Sequence, residues 1–251
     1  MKNKQNRVAI VTGGTSNIGL EIVKLFIKKG INVAYVGSSI KSIKETSKVL
    51  KKNNLTNSAH GFSCDISNLK NINGLVDDVV KTFGKIDIIV NSAGVLDNSD
   101  IESTTEKIWS NVMSVNLNAP FFIIQKALPY LKKSKSPRIV NISSNAGRMG
   151  GYANGMSYSA SKGGLIAMTY GLSRKLAKYK ITVNCVAPGT IESDMLNERS
   201  PKIQKKLLDK FPLGRFGKSS EVAEAVYYFV DEKSCFTTGA VLDVNGGLFT
   251  G

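Results

Sequence analysis

Cysteine and histidine, the residues that most often bind transition metals, are scarce in this chain. Its 251 residues include one histidine, His60, and three widely spaced cysteines, Cys64, Cys185 and Cys235, which form no C-x-x-C pair. This pattern argues against a disulfide framework and against a zinc site. We therefore expect no metal, and we expect each cysteine to be a small core residue.

Long apolar runs are also missing. No segment approaches the ~18–20 apolar residues of a membrane-spanning helix. The first residues lack the apolar core and the small-residue cleavage site of a signal peptide. We therefore expect a cytoplasmic protein that does not bind a membrane.

Acidic residues are few compared with basic ones. The chain has 19 Asp and Glu against 34 Lys and Arg, a formal net charge of +15. A lysine-rich surface that keeps the protein soluble explains this excess, and so does an anionic partner. Nucleic-acid binders usually carry one basic stripe interleaved with aromatic residues, whereas these lysines spread over most of the predicted helices. We therefore expect no specific nucleic-acid partner.

Short apolar runs alternate with segments whose apolar residues have helical spacing. The runs are continuous, which indicates parallel strands buried on both faces. The expected strands are residues 8–11, 33–36, 60–65, 86–90, 138–142, 182–186 and 241–244, and the expected helices are 18–29, 41–52, 68–83, 105–133, 157–179 and 219–231. This order predicts an α/β fold, a Rossmann-type doubly wound sheet of about seven parallel strands with helices on both faces.

Two connections interrupt this alternation. Residues 190–217 join a strand to the last helix over a span that includes a short basic helix at 202–210, and loops of that length are usually functional lids. Residues 145–156 are rich in glycine, and we expect them to form a loop at the wall of a pocket. No Pro/Gly/Ser-rich linker divides the chain, so we expect a single domain over residues 1–251.

A glycine-rich turn, TGGTSNIG at residues 12–19, joins the first strand to the first helix. Such a turn lets the backbone approach a pyrophosphate at the positive end of a helix, although a tight connection without a ligand is the alternative. Asn17 replaces a usual glycine, but asparagine tolerates left-handed backbone angles, so we expect the turn to survive. The expected nucleotide-binding residues here are Gly13, Thr15, Ser16, Asn17, Ile18 and Gly19.

Further candidates follow the third and fourth strands, because ligands of a doubly wound sheet bind at the carboxyl ends of its strands. Asp65 has an alternative role as the N-cap of the next helix, for which Ser67 is better suited. From these two strand ends we expect Asp65, Ile66, Asn91, Ala93 and Gly94 to line the adenine and ribose region.

The segment after the second strand bears on the choice of dinucleotide. An acidic residue there would hydrogen-bond the ribose 2′-hydroxyl of NAD and would repel the 2′-phosphate of NADP. The chain has Gly37 at that position, followed by Ser38, Ser39 and, after one residue, Lys41. Two hydroxyls and an ammonium group suit a phosphate, although the usual arginine is missing. We expect NADP(H) to be favoured over NAD(H), with Ser38 and Ser39 among its contacts.

A tyrosine and a lysine, Tyr158 and Lys162, are four residues apart in a predicted helix and so share one face. A free tyrosine has a pKa of about 10, and a neighbouring cation lowers that value. The pair therefore suits acid–base chemistry near neutral pH, although a surface helix pair has the same spacing. Ser144 and Asn116 lie upstream, and with Tyr158 and Lys162 they are the four candidate catalytic residues.

Taken together, these motifs resemble those of the short-chain dehydrogenase/reductase family over about residues 6–248. Within that family the chain is most similar to the 3-oxoacyl-[acyl-carrier-protein] reductases, through residues 187–195, 212–217 and 238–247. The resemblance implies reduction of a 3-oxoacyl thioester in fatty-acid synthesis. Related family members act on sugars, polyols or other small ketones, and a nucleotide-binding scaffold without catalysis is a further alternative.

The resemblance also implies a role for each candidate residue. Ser144 orients the substrate carbonyl, Tyr158 donates the proton, and Lys162 binds the nicotinamide ribose and lowers the pKa of Tyr158. Asn116 holds a water chain that resupplies protons. Pro188, Gly189, Ile191 and Ser193 contact the nicotinamide. The nucleotide-binding half would cover about residues 6–95, and the catalytic half about residues 96–251.

An acidic acyl carrier protein would give the basic surface a purpose. Lys135 stands where such reductases carry a basic docking residue, whereas the second docking position is Tyr179, flanked by Lys178 and Lys180. The family resemblance further implies a homotetramer.

Overall fold

The computed structural model describes residues 6–151, 154–193, 196, 205 and 208–251. Its strands are β1 (Val8–Thr12), β2 (Asn32–Gly37), β3 (Ala59–Ser63), β4 (Ile88–Asn91), β5 (Arg138–Ile142), β6 (Thr182–Pro188) and β7 (Val241–Val244). They form one sheet in the order β3-β2-β1-β4-β5-β6-β7, and every pairing is parallel. The predicted sheet of seven parallel strands is confirmed.

Helices cover both faces of this sheet. They are α1 (Asn17–Lys28), α2 (Ile40–Lys52), α3 (Leu69–Phe83), α4 (Glu106–Met113), α5 (Ala119–Leu131), α6 (Asn145–Met149), α7 (Met156–Leu176) and α8 (Ser219–Val230). On one face, α1 and α8 pack with Ala9 and Val11 of β1, whereas α3 and α5 pack on the other face with Ile10. Successive residues of β1 point to opposite faces and both are buried, which is why the strand is a continuous apolar run.

The order of the strands places a crevice at the carboxyl end of β1. Because β1 lies between β2 and β4, the connections after β1 and β4 leave toward opposite sides, and ligands bind at such a switch point. The hydroxyl of Thr12 accepts hydrogen bonds from the backbone N–H groups of Ser92 and Ala93, both 3.1 Å long. This side chain fixes the loop after β4 against the end of β1.

The helix predicted over residues 105–133 is interrupted. Between α4 and α5 the chain forms a π-helical turn at Ser114–Asn118. Such a turn inserts an extra residue into a helix and occurs often at functional sites. Its third residue is Asn116, which is fully buried.

Three smaller expectations need correction, and a fourth cannot be compared with the structure. Residues 145–156, expected as a loop, contain the short helix α6. The N-cap of α3 is neither Asp65 nor Ser67 but Asn68, whose side chain accepts a hydrogen bond from the N–H of Lys70. Only Cys185 is buried in the core, whereas Cys64 is half-buried and Cys235 is exposed. Most of the basic helix expected at 202–210 lies outside the described residues.

Candidate active site

A cavity of about 640 Å³ opens at the carboxyl ends of β1 to β4. This volume is typical of pockets that bind small molecules and cofactors. Eleven of the residues expected to bind the nucleotide line it: Gly13, Thr15, Ser16, Asn17, Ile18, Gly19, Ser38, Asp65, Ile66, Ala93 and Gly94.

The glycine turn forms the floor of this cavity. Asn17 has a positive φ of 43°, so the predicted left-handed asparagine is confirmed. Gly19 must lack a side chain, because a Cβ atom there would lie 2.0 Å from the carbonyl oxygen of Gly13. The first N–H groups of α1 have no partner inside the helix and face this space, which suits an anion.

The two serines after β2 have different environments. Ser38 lines the cavity. Ser39 does not line it but serves as the N-cap of α2, where its side chain accepts a hydrogen bond from the N–H of Ser42 at 3.2 Å. The structure therefore brings one of the two expected serines to the cavity and gives the other a structural partner.

Asn91 also lies outside the cavity wall. Its side-chain amide donates to Asn141 Oδ1 on β5 at 2.9 Å, and the amide of Asn141 donates to Thr169 Oγ1 on α7 at 2.9 Å. This buried chain of hydrogen bonds joins the ends of β4 and β5 to α7. Asn91 thus contributes to the support of the site, whereas its neighbours Ala93 and Gly94 reach the cavity.

Tyr158 and Lys162 lie in the first turns of α7, with Lys162 Nζ 5.7 Å from the centre of the Tyr158 ring. Lys162 is buried, and its Nζ donates to the carbonyl oxygen of Ile142 at 2.8 Å. A Cβ atom at Gly94 would lie 3.2 Å from the same Nζ. The pair therefore stands directly beside the loop that lines the cavity.

Burial controls the protonation of this pair. It raises the pKa of Tyr158 above the ordinary value, while hydrogen bonding with Ser144 acts in the opposite direction. Burial lowers the pKa of Lys162 to about 8. The ammonium group of Lys162 is directed to the carbonyl oxygen of Ile142, and the expectation that Lys162 lowers the pKa of Tyr158 stays a prediction.

Ser143 and Ser144 follow β5 and point in different directions. The Ser143 hydroxyl donates to the carbonyl oxygen of Lys162 at 2.8 Å, so it is used inside the fold. Ser144 is the N-cap of α6, its hydroxyl donates to Asn145 Oδ1 at 3.1 Å, and it lies close enough to Tyr158 to lower the pKa of the phenol. Of the two serines, Ser144 is thus the one beside the tyrosine.

Asn116 joins three parts of the site. Its Oδ1 accepts from the N–H of Val95 at 2.8 Å, and its Nδ2 donates to the carbonyl oxygen of Val95 at 3.0 Å and to Ser161 Oγ at 3.1 Å. These bonds fix the loop after β4 to α7, next to Lys162. The π-helical turn aims the side chain inward.

The four residues expected at the nicotinamide lie at and beyond the end of β6. Gly189 donates its N–H to the carbonyl oxygen of Val244 at 2.9 Å, and Ile191 pairs with Gly217 in a short parallel bridge. The Ser193 hydroxyl accepts from the N–H of Leu196 at 3.3 Å. Pro188, Gly189, Ile191 and Ser193 do not line the cavity beside β1.

A family model described as short chain dehydrogenase matches residues 7–204. The chain belongs to this family. Curated relatives named 3-oxoacyl-[acyl-carrier-protein] reductase cover nearly its whole length. The protein from Staphylococcus aureus is 34% identical over 250 residues, 98% of this chain and 99% of the relative. The Aquifex aeolicus protein is 36% identical over 245 residues, 98% of each chain.

A solved structure agrees in fold with this short-chain dehydrogenase. It is a blue fluorescent protein from a metagenomic library in complex with NADPH, with a TM-score of 0.90 and 29% identity, covering 99% of this chain and 100% of that one. With this neighbour, the family match and the relatives, the chain is an NAD(P)-dependent oxidoreductase of the short-chain dehydrogenase family.

Sequence reasoning missed several residues of the dehydrogenase's cavity. Cys64 and Ser67 flank the predicted Asp65 and Ile66, so position at a strand end was a usable signal. Asn111 and Val115 come from α4 and the π-helical turn. Their spacing of four residues puts them on one helix face, but only the packing of the fold directs that face to the cavity.

Two negative findings concern the described part of this dehydrogenase. Residues 6–151, 154–193, 196, 205 and 208–251 contain no group of three or more His, Cys, Asp or Glu arranged to hold a metal ion. Within the same ranges, no helix has the length and apolar character needed to cross a membrane.

Proposed function

We propose that this dehydrogenase reduces a 3-oxoacyl thioester, bound to an acyl carrier protein or to coenzyme A, to the 3-hydroxyacyl form in cytoplasmic fatty-acid synthesis, using NADPH. The observation that carries the catalytic part is the meeting of Ser144, Tyr158 and Lys162 beside the cavity. The substrate class is supported by full-length relatives named 3-oxoacyl-[acyl-carrier-protein] reductase.

The residues present fit the cofactor. The glycine turn and the N-terminus of α1 suit its pyrophosphate, and polar groups of Ser38, Asp65 and Ser92 line the rest of the cavity. The ribose end of this space has no acidic residue after β2, where Gly37 and Ser38 stand. That absence supports NADP(H) over NAD(H), since a carboxylate there would repel the 2′-phosphate.

The side chains divide the chemistry between them. NADPH, when bound, supplies a hydride to the carbonyl carbon. The neighbouring hydroxyls of Ser144 and Tyr158 converge on the carbonyl oxygen, and Tyr158 transfers its proton to that oxygen as the carbonyl becomes an alcohol. Its raised pKa keeps the phenol protonated at neutral pH, which suits a proton donor. The Lys162 ammonium group returns a proton to the resulting phenolate, and a water chain held by Asn116 brings the replacement proton from solvent to Lys162.

One experiment tests the whole proposal. NADPH oxidation is followed by absorbance with acetoacetyl-carrier-protein, with acetoacetyl-coenzyme A, and with NADH in place of NADPH. Rapid NADPH-dependent turnover of a thioester supports the proposal. Binding of NADPH without turnover of either thioester contradicts the substrate class and favours a sugar, a polyol or another small ketone. Inertness toward those as well favours a nucleotide-binding scaffold.

Cofactor preference has its own prediction. Ser38→Ala is expected to weaken NADPH binding by about tenfold, the effect of one hydrogen bond to a charged group, and NADH binding much less. Ser39→Ala is the matched control, because it removes the N-cap of α2 and should lower stability by about 1 kcal/mol without changing selectivity. Titration of cofactor fluorescence gives the affinities for NADPH and NADH. If Ser38→Ala weakened the binding of both cofactors equally, Ser38 would not contact the 2′-phosphate.

A basic cluster at the far end of α7 supports docking of an acidic carrier. Lys132 Nζ lies 4.1 Å and Lys178 Nζ 5.2 Å from the centre of the Tyr179 ring. Hydrogen bonding and charge from Lys132, together with Lys178, lower the pKa of Tyr179. Tyr179, which stands where related reductases carry a basic residue, thus has two lysine ammonium groups next to its ring. Lys180, which follows Tyr179, and Lys135, three residues after Lys132, are also exposed.

The cluster and Tyr158 lie at opposite ends of α7, about 30 Å apart at 1.5 Å per residue. We therefore propose that a docked carrier serves the site of a neighbouring subunit in a homotetramer.

Two groups of exposed apolar side chains suit such an assembly, since patches of this kind mark interfaces. They are Trp109, Phe121 and Tyr170 on α4, α5 and α7, and Tyr228, Phe236 and Leu242 around α8 and the edge strand β7. Sedimentation equilibrium measures the assembly directly.

Reversing the charge of this cluster tests docking. Lys132→Glu/Lys178→Glu is expected to lower kcat/KM for acetoacetyl-carrier-protein by about tenfold at low salt, because rim charges act mainly on association, and to leave the coenzyme A thioester unaffected. High salt should shrink the difference. The control is Lys51→Glu/Lys52→Glu, the same change on α2. An equal effect of both double variants would reject the cluster as the docking surface.

A further inference from the structure

A buried carboxylate, Asp97, lies in the loop between β4 and α4, beside the start of α7. Its Oδ2 accepts a hydrogen bond from Ser157 Oγ at 2.5 Å. Its Oδ1 accepts from Ser99 N and Ser99 Oγ at 2.9 and 2.6 Å. These hydrogen bonds lower the pKa of Asp97 and keep the group ionised. The carboxylate is therefore a fixed negative charge with specific partners.

The helix that carries Tyr158 has no cap of its own. Its N-cap residue is Gly155, which has no side chain, and its first turn contains no acidic residue. Asp97 supplies both missing features from a distant part of the chain. Its carbonyl oxygen accepts from the N–H of Gly155 at 2.7 Å, and its charge lies at the positive end of α7. A Cβ atom at Gly155 would lie 2.1 Å from Asp97 Oδ2, so this approach requires glycine.

The other end of the same loop is held at the cofactor cavity. Val95, two residues before Asp97, exchanges two hydrogen bonds with Asn116, and Gly94 lines the cavity next to Lys162. Residues 94–97 thus connect the cavity and Asn116 to the first turn of α7. Tyr158 is the third residue of that helix and directly follows Ser157.

We propose that Asp97 is a positioning residue. Through its hydrogen bond with Ser157, it fixes the position of the Tyr158 hydroxyl relative to Asn116 and the cavity. This inference rests on the proposed role of Tyr158. In this role Asp97 touches neither the substrate nor the cofactor. It acts on the rate because the geometry of proton transfer depends on where the first turn of α7 begins.

Ser157→Ala tests the link. Displacement of a reacting group by 1 Å costs about 100-fold in rate, so we expect kcat about tenfold lower for the small shift that loss of this bond allows. The KM for the thioester and the affinity for NADPH should change less than about twofold, since the cavity is untouched. Ser99→Ala is the matched control, because it removes one hydrogen bond to the other oxygen of the same carboxylate from a residue that is not part of α7, and its kcat should stay near that of the wild type.

A double-mutant cycle with Asp97→Asn completes the test. Groups that act through one contact are non-additive, so Asp97→Asn/Ser157→Ala should be no slower than the slower single variant. Additive losses, a kcat for Ser157→Ala equal to that of Ser99→Ala, or parallel losses in kcat, KM and cofactor affinity would each overturn the inference. If Asp97→Asn does not fold, the two serine variants still decide. Tyr158→Phe is measured in the same assay. If it were fully active, the proposed function itself would be rejected. If it were inactive while Ser157→Ala had normal kcat, only the role of Asp97 would be rejected.

Discussion

Tyr158→Phe is expected to lower kcat by about 100- to 10,000-fold, the usual contribution of a general acid, and to leave NADPH binding nearly unchanged. The variant removes one hydroxyl from a half-buried ring and keeps the shape of the side chain. That hydroxyl lies beside Ser144, and burial raises its pKa so that it keeps its proton at neutral pH. Steady-state kinetics with a 3-oxoacyl thioester, together with a cofactor titration, measure both effects.

The control for this variant lies on the same helix. Tyr170→Phe removes a hydroxyl from an exposed tyrosine of α7, far from Ser144 in sequence, and should leave kcat as in the wild type. Near-normal turnover of Tyr158→Phe would reject the mechanism. A loss of NADPH affinity equal to the loss of rate would instead indicate that Tyr158 shapes the cofactor site and does not donate the proton.

The sheet was predictable because its strands are buried on both faces. In β1 the residues alternate between the two cores, so an apolar side chain is required at every position and the strand is visible as a continuous run. The break in the helix predicted at 105–133 was not visible. Residues 114–118 have the same apolar spacing as their neighbours, and the inward hydrogen bonds that Asn116 makes from the π-helical turn to Val95 and Ser161 reach residues distant in the sequence.

The candidate site likewise has residues that could be predicted from the sequence and residues that could not. The glycine turn and the residues at strand ends were accessible from sequence, since backbone conformation and sheet topology place them. The different environments of Ser38 and Ser39 were not, because they depend on where α2 begins. The pKa of Tyr158 was also beyond sequence reasoning. Spacing brings Lys162 close, but the burial that raises the pKa of Tyr158 comes from the surrounding fold.

The role of Asp97 illustrates a further limit. Nothing in its local sequence distinguishes it from Asp100 three residues later, which is exposed. Its environment comes from contacts with Gly155 and Ser157, about sixty residues away in the chain. Buried polar partners of this kind are long-range consequences of the fold. The start of α7, whose N-cap Gly155 has no side chain, is one place where such a partner is needed.

Gly19→Ala is expected to weaken the binding of NADPH by about 10- to 150-fold, even if the protein folds. The added Cβ atom would lie 2.0 Å from the carbonyl oxygen of Gly13, and this contact is with backbone, which must shift. The turn would then lose its approach to the pyrophosphate. Loss of a single hydrogen bond to a charged group costs about 1.5–3 kcal/mol, which corresponds to the stated range. Cofactor titration and thermal denaturation with and without NADPH measure the effect.

Gly74→Ala is the matched control for this change. Gly74 lies inside α3, a Cβ atom there meets nothing within 4 Å, and its φ is not positive. Since alanine is favoured over glycine inside a helix, this variant should gain about 0.5–1 kcal/mol of stability and should bind NADPH as the wild type does. If Gly19→Ala bound NADPH as tightly as Gly74→Ala, the pyrophosphate would not be held by the turn at residues 12–19. The cofactor would then have to occupy the cavity in a different orientation, and the assignment of Ser38 to the 2′-phosphate would fail with it.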